Sequence, residues 1–243
     1  MAGSNDSLGD RMKGYEAASC YVLPLRLPVV IRVDGKAFHT WTRGMDRPFD
    51  QRLIAWMDMV ALALCEEIQG AKLAYVQSDE VSVLVHNYAR LETEAWFDNG
   101  LQKTVSVAAS VAAASMTSNA GRITHFDARA FVLPEAEVTN YFLWRQQDAT
   151  RNSIQMLAQS LYSHKELHGK DQSALQEMCF QKGQNWNDLP THLRRGRCAL
   201  RDTFEVEGGL RHRWAIDFEI PIWKNEGRAY VERHLPSGRG RRR

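Results

Sequence analysis

Two short acidic turns, well separated along the chain, hold the residues best suited to chemistry. The segment from Ile31 to His39 reads IRVDGKAFH, and the segment from Gln77 to Glu80 reads QSDE. In each, a carboxylate stands where an apolar, β-branched run meets a turn. Residues 29–33 follow Pro28 and are expected to form a buried strand ending at Asp34-Gly35, where glycine can turn its carbonyl outward. Residues 72–77 and 81–86 read as a hairpin with Ser78, Asp79 and Glu80 at its turn. Two carboxylates delivered by neighbouring strand ends can share divalent cations, and hard oxygen ligands of this type favour magnesium bound to substrate phosphates. A DG turn or an SDE turn alone is most simply a solvated turn. The order strand, acidic turn, long helix, acidic hairpin is what a βαββαβ palm requires.

The remaining elements can be read as the frame for these turns. Residues 6–18 pattern as an amphipathic helix. In residues 49–68, Leu53, Ile54, Met57, Val60, Ala61 and Leu64 recur at helical spacing and should cover one sheet face. Residues 101–117 form a second covering helix whose many Ala and Ser residues permit close packing. Residues 128–133 are the fourth strand, stopped by Pro134, and a long helix over residues 139–163 carries Trp144, Arg145 and Asn152. Beyond Lys170 the pattern weakens to a helix over residues 173–180, a loop over 186–190 and strands over 197–205 and 213–219. The expected class is α/β (α+β): a polymerase-palm-like βαββαβ sheet with helices on its faces and a C-terminal accessory arm. The expected organisation is a palm-like catalytic domain with its N-terminal helix (1–169), an accessory arm packed on the palm (170–236) and a disordered basic tail (237–243).

Composition sets outer bounds. With 243 residues, 44% hydrophobic and 25% charged, the chain can bury a substantial core. No long apolar run and no apolar N-terminal segment occur, so neither a membrane span nor a secretory signal is expected, and the cytoplasm is the default location. Cys20, Cys65, Cys179 and Cys198 lack C-x-x-C spacing and read as reduced thiols. His164 and His168 lie four apart with no acidic partner at metalloprotease spacing, so they read as surface histidines. The tail SGRGRRR holds four arginines, which outweighs the whole net charge of +2 and leaves the rest slightly acidic. Any RNA contact therefore falls to local patches, the densest being Arg194, Arg195, Arg197 and Arg201 beside Arg211, His212 and Arg213.

The blocks DSLGDRMKGYE, IRVDGKAFHTWTR, YVQSDEVSVLV, FDARAFVLP and YFLWRQQDATRNSIQMLAQ occur in this order. Together they resemble the tRNA-histidine guanylyltransferase superfamily of reverse-polarity (3′-to-5′) nucleotide-adding enzymes, over residues 6–236. One departure is informative. The eukaryotic guanylyltransferases carry a His-Ile-Asn-Asn or similar run where this chain has Thr150-Arg151-Asn152-Ser153. That replacement resembles the guanylyltransferase-like branch associated with templated repair of truncated tRNA 5′ ends.

The resemblance implies Asp34 and Asp79 as carboxylates bridging two magnesium ions, with the Gly35 carbonyl as a further ligand. Glu80 joins them as a catalytic carboxylate; metal ligation, solvation and a supporting place behind the ligands all remain open, the last being preferred. The nucleotide site implied comprises Asp34, Gly35, Lys36, Ala37, Phe38, His39, Ser78 and Asp79, with Arg47 and Asp50 of RPFD as further contacts. The ring of Phe38 is better read as core. Lys103, Arg129, Arg145 and Asn152 fall in blocks expected to touch the RNA 5′ end or its triphosphate, with salt-bridging within the fold as their competing role; the basic pair Arg194 and Arg195 is a further RNA-binding candidate, with a solvated surface as its competing role. The implied reaction takes GTP and other nucleoside triphosphates as substrates, with ATP for 5′ activation, tRNA as the partner and a homotetramer as the assembly. Template-dependent addition to 5′-truncated tRNA is the leading expectation, and untemplated guanylylation of histidine tRNA is the alternative. A nucleotidyl cyclase lacks its Gly-Gly-acidic-acidic-Phe hairpin here, and a non-catalytic RNA-binding protein has no need of both acidic turns.

Overall fold

In a computed structural model of the chain, residues 7–90, 92–206 and 209–236 are described. Helix α1 (Leu8–Ala17) precedes strand β1 (Val29–Gly35), the one-turn helix α2 (Phe38–Trp41) and helix α3 (Gln51–Glu67). Strands β2 (Ala71–Gln77) and β3 (Glu80–Val85) form the hairpin, followed by α4 (Leu101–Ala120), β4 (Phe126–Val132) and the long α5 (Glu135–Leu161). Short helices α6 (His164–Leu167), α7 (Gln172–Gln181) and α8 (Thr191–Arg195) lead to β5 (Arg197–Val206) and β6 (Gly209–Asp217), and α9 (Ala229–Glu232) closes the described chain. The tail at 237–243 lies outside the described residues.

Strands β1 to β4 are ordered β4-β1-β3-β2 with antiparallel neighbours, the palm arrangement expected. The segment after residue 170 departs from expectation. Its strand β5 pairs with β2 and β6 pairs with β5, so all six strands make one sheet. The expected arm therefore contributes a sheet edge instead of packing wholly on the palm. The register Tyr75↔Cys198 and Val76↔Arg197 satisfies the backbone groups of β2 that would otherwise be an open edge.

Strand alternation divides the core in two. Val29, Ile31, Val33, Val76, Val81 and Val83 face α3 and α4, where Met57, Val60, Leu64, Ala108, Ala112 and Met116 cover them. Val30, Leu73, Tyr75 and Leu84 face the other way, against Val138, Tyr141 and Phe142 of α5 and against Trp223. The small side chains of α4 do permit close approach, since Ala108 and Ala112 are fully buried. A satellite core of Ile154, Leu157 and Ala158 on α5 with Leu175 and Cys179 on α7 fixes the far half of the long helix. Asp50 caps α3, and Ser163 with Glu166 forms a capping box on α6. All four cysteines are free, Cys20 exposed and the others buried, and His164 and His168 are both exposed. No helix among the described residues is long and apolar enough to cross a membrane.

Candidate functional site

The two acidic turns meet. The Gly35 amide donates to the Asp79 carbonyl at 3.1 Å, tying the end of β1 to the β2–β3 turn, and the Lys36 amide donates to the His125 carbonyl at 2.9 Å. Gly35 is required by close packing: a Cβ there would lie 2.2 Å from the Phe38 ring. The chain then turns sharply, with Ala37 in the left-handed region at φ 55° and Ser78 likewise at φ 47° on the opposing turn. Phe38 is buried and stacks on Trp41 at 5.1 Å between ring centroids, so its ring belongs to the core, and only its backbone is left for a ligand. The amides of Gly35 and Lys36 are already engaged. Those of Ala37, Phe38 and His39 make no hydrogen bond among the described residues, which narrows the expected phosphate cradle to these three.

Asp34 and Asp79 are both half-buried, and Asp79 lines a cleft with the buried Gly35 and the exposed Ala37, His39, Arg47 and Ser78. Burial pushes the Asp34 carboxyl above its usual range, and the nearby charges of Glu80 and Asp127 push it further, with Arg32 and Arg129 opposing. Burial and the Asp34 charge push Asp79 up to about 6, while the Ser78 hydroxyl works against the rise. Neither carboxylate has a salt-bridge partner among the described residues. This concentration of unneutralised oxygen, with a carbonyl beside it, fits a hard divalent cation. It is a pair of carboxylates; no group of three metal-ligating side chains occurs among the described residues.

Glu80 stands behind the cleft. Its carboxylate is buried and accepts from Arg145 at 2.8 Å and 2.6 Å and from the Ser82 hydroxyl at 3.3 Å. Both oxygens are engaged, so it acts as an anchor for the hairpin and not as a ligand or base in the cleft. The same pairing corrects Arg145, expected at the RNA 5′ end, because its guanidinium is spent on Glu80 and on Asp148 at 3.0 Å. Asp50 is corrected too. Its carboxylate accepts from the amides of Asp46, Arg52 and Leu53 and from the Arg52 guanidinium, which holds it well below the usual carboxylate range. It borders the cleft as a helix cap.

The other expected residues scatter. Arg47, joined to Pro48 by a cis peptide bond, is exposed at the cleft. Lys36 is exposed and does not line that cleft. Lys103 lies on α4 with its ammonium 4.6 Å from the Phe97 ring, and the exposed Arg129 pairs with Asp127 at 3.2 Å. Asn152 lines an adjoining pocket with Gln77 and Ser78, whereas Arg194 and Arg195 line a groove on another flank of α5. Sequence reasoning missed Arg32 and Asp127. Arg32 shares the sheet face of Asp34 two residues on, and its Nε is buried without a hydrogen-bond partner, 3.9 Å from Glu80. Asp127 lies opposite Asp34 in the β1–β4 register. Period-two alternation alone places Arg32 there, but only the register reveals Asp127. Gln77, whose Oε1 is buried and unpartnered, was likewise missed.

Known proteins resemble the chain over most of its length. Residues 9–134 match the family model described as Thg1: tRNAHis guanylyltransferase. A probable tRNA(His) guanylyltransferase of Drosophila melanogaster is 30% identical over 195 residues, 71% of this chain and 66% of that protein, so the match spans slightly under two thirds of the relative's own length. A solved bacterial tRNA(His) guanylyltransferase-like protein in complex with ATP superposes with a TM-score of 0.87 at 44% identity, over 94% of this chain and 99% of the other. The corresponding complex with GTP gives 0.85 at 45% identity over the same shares.

Proposed function

The chain belongs to the Thg1 family of tRNAHis guanylyltransferases, and from that premise we propose that it is a nucleotidyltransferase adding nucleotides to the 5′ end of tRNA in the 3′-to-5′ direction under direction of a template strand. The observation that carries the reading is the unpaired Asp34 and Asp79 carboxylates, brought together by the Gly35–Asp79 backbone bond and close enough that the Asp34 charge acts on Asp79, which lines one cleft with Ala37, Phe38 and His39 and their free amides. Similar proteins solved in complex with ATP and with GTP support nucleoside triphosphates as the molecules the cleft takes.

In the reaction, the 3′-hydroxyl of an incoming nucleotide attacks the activated 5′ phosphate of the RNA, and pyrophosphate leaves from a triphosphate end or AMP from an adenylylated one. Asp34, Asp79 and the Gly35 carbonyl are the groups that would hold two magnesium ions, which when bound neutralise charge on the transferring phosphate. The free amides after Ala37 receive phosphate oxygens, His39 and Arg47 stand exposed at the same cleft, and the Ser78 hydroxyl faces the cleft from the other turn. Glu80 and Arg145 keep the hairpin in place so that Asp79 presents at a fixed height.

Templating is supported by Thr150 and its neighbours standing where the resembled guanylyltransferases carry a histidine-containing run. Base pairing then supplies a selectivity that the pocket need not. The test is a set of 5′-truncated tRNAs differing only at the opposing template base. Incorporation that follows the complement in every case is expected; insertion of G regardless of that base would establish untemplated guanylylation instead. A tetramer belongs to the same reading and is supported by α1, which buries no side chain of its own and exposes Leu8, Met12 and Tyr15 at helical spacing. Sedimentation of a fully active monomer would contradict it.

A further inference from the structure

Across α5 from the acidic cleft lies a groove that the chemistry above does not use. It is lined by Arg151, Arg194, Arg195 and Lys224, with Thr150 and Trp186 among its neutral walls, and no carboxylate lines it. We infer that this groove binds backbone phosphates of the RNA substrate, giving the chain a second nucleic-acid contact apart from the reacting end. The inference rests on the reading of the chain as an enzyme acting on tRNA.

The groove is built and not a chance gathering of surface charge. Gly196 follows the arginine pair at φ 81°, and its Cα sits so close to β2 that a Cβ would fall 2.5 Å from the Val76 carbonyl and 2.6 Å from the Tyr75 ring. The buried Tyr75 hydroxyl donates to the Arg195 carbonyl at 2.7 Å, and the Ser153 hydroxyl reaches the Arg194 carbonyl at 3.2 Å. The backbone of both arginines is thereby pinned to the core, and their side chains are left to the groove. The Arg194 guanidinium lies 5.7 Å from the Trp186 ring, whose Nε1 donates to the Ser153 hydroxyl at 2.9 Å.

These cations lack counter-charges. Arg194 Nε is buried with no hydrogen-bond partner, and no carboxylate is within salt-bridge distance of Arg194, Arg195 or Lys224 among the described residues. Arg151 alone is paired, with Asp148 at 2.7 Å. Burial and the adjacent Arg194 charge push Arg195 below the usual guanidinium value, with Glu219 opposing. Two neighbouring guanidiniums held in place without anions suit a planar, bidentate acceptor, and phosphate oxygens supply it. A triphosphate offers the same chemistry as an RNA backbone, but the groove is separated by α5 from the cleft where a reacting triphosphate must sit.

The test uses the full chain with the paired change Arg194→Gln and Arg195→Gln, and separately Lys224→Gln, an exposed side chain that leaves the core untouched. Affinity for 3′-labelled tRNA is measured across a salt series, and affinity for GTP and ATP is measured in parallel. The arginine pair should weaken tRNA binding by about tenfold or more and reduce the slope of log affinity against log salt by about two, and Lys224→Gln should reduce it by about one. Nucleotide affinity should stay unchanged. Loss of nucleotide affinity with tRNA binding intact would assign the groove to a triphosphate and overturn the RNA assignment, and unchanged binding of both would overturn the site. In either case wild-type tRNA binding and nucleotide addition would still stand, so failure of the groove is distinct from failure of the proposed reaction. A wild-type chain that binds no tRNA would overturn both.

Discussion

Asp79 and Glu80 are adjacent in sequence and opposite in circumstance. Asp79 is half-buried, without a cationic partner, and holds its proton up to about pH 6. Glu80 is more deeply buried and receives a two-pronged guanidinium from a helix sixty-five positions away. One carboxylate is left electrostatically unsatisfied at the cleft; the other is satisfied within the fold. The contrast shows that adjacency in sequence does not give two carboxylates the same surroundings. What separates the two roles is whether the protein itself supplies the counter-charge.

The largest effect that can test this contrast is on turnover. Asp34→Ala or Asp79→Ala should lower nucleotide addition at least about a thousandfold, measured in single-turnover assays with labelled 5′-truncated tRNA, while thermal stability stays equal or rises. A variant that loses activity only by unfolding would place Asp79 on the same footing as Glu80. Next in size is the converse change. Arg145→Met strands the buried Glu80 charge and should cost about 3–5 kcal/mol in urea unfolding, with much of that recovered by adding Glu80→Gln. Absence of coupling between the two would break the claim that they act as one anchor.

A smaller effect is expected from pH. The folded state raises the Asp79 pKa to about 6 from the ordinary 3.8. Its contribution therefore favours the folded state fully below about pH 4 and is lost as pH rises through 6. In metal-free buffer, Asp79→Asn should remove this dependence and raise stability near pH 7 by about 1–2 kcal/mol; an unchanged unfolding profile from pH 5 to pH 7 would show that Asp79 is better solvated than its surroundings imply. The smallest effect concerns Asp50. Asp50→Ala should cost about 1–2 kcal/mol through loss of the α3 cap and leave nucleotide affinity within twofold, whereas a larger loss of affinity at constant stability would return it to the binding site.

Much of the palm was legible because its signals are local. The β-branched run before Asp34, the hairpin around Ser78 and the helical spacing from Leu53 to Leu64 each declare themselves within a short window. So did the pairing of the two acidic turns, once their order along the chain was noticed. A supporting place for Glu80 and a salt bridge for Arg145 were each open readings, but their partnership with one another was not legible, because it depends on α5 crossing beneath the sheet. The addition of β5 and β6 to the sheet was hidden for the same reason. Their strand character is local, but the choice of β2 as partner is made over more than a hundred residues. Asp50 was expected as a nucleotide contact from the resemblance of the RPFD block alone, and its use as a helix cap shows only in the direction of its oxygens.

The run from Thr150 to Ser153 covers about one turn of α5, and it faces two ways: Thr150 and Arg151 toward the basic groove, Asn152 and Ser153 toward the pocket beside Ser78. Any exchange of this run with that of a relative therefore edits two surfaces at once. A single replacement at Thr150 or at Asn152 reshapes one surface and leaves the other as it was, so the groove and the pocket can vary separately although four consecutive residues serve both.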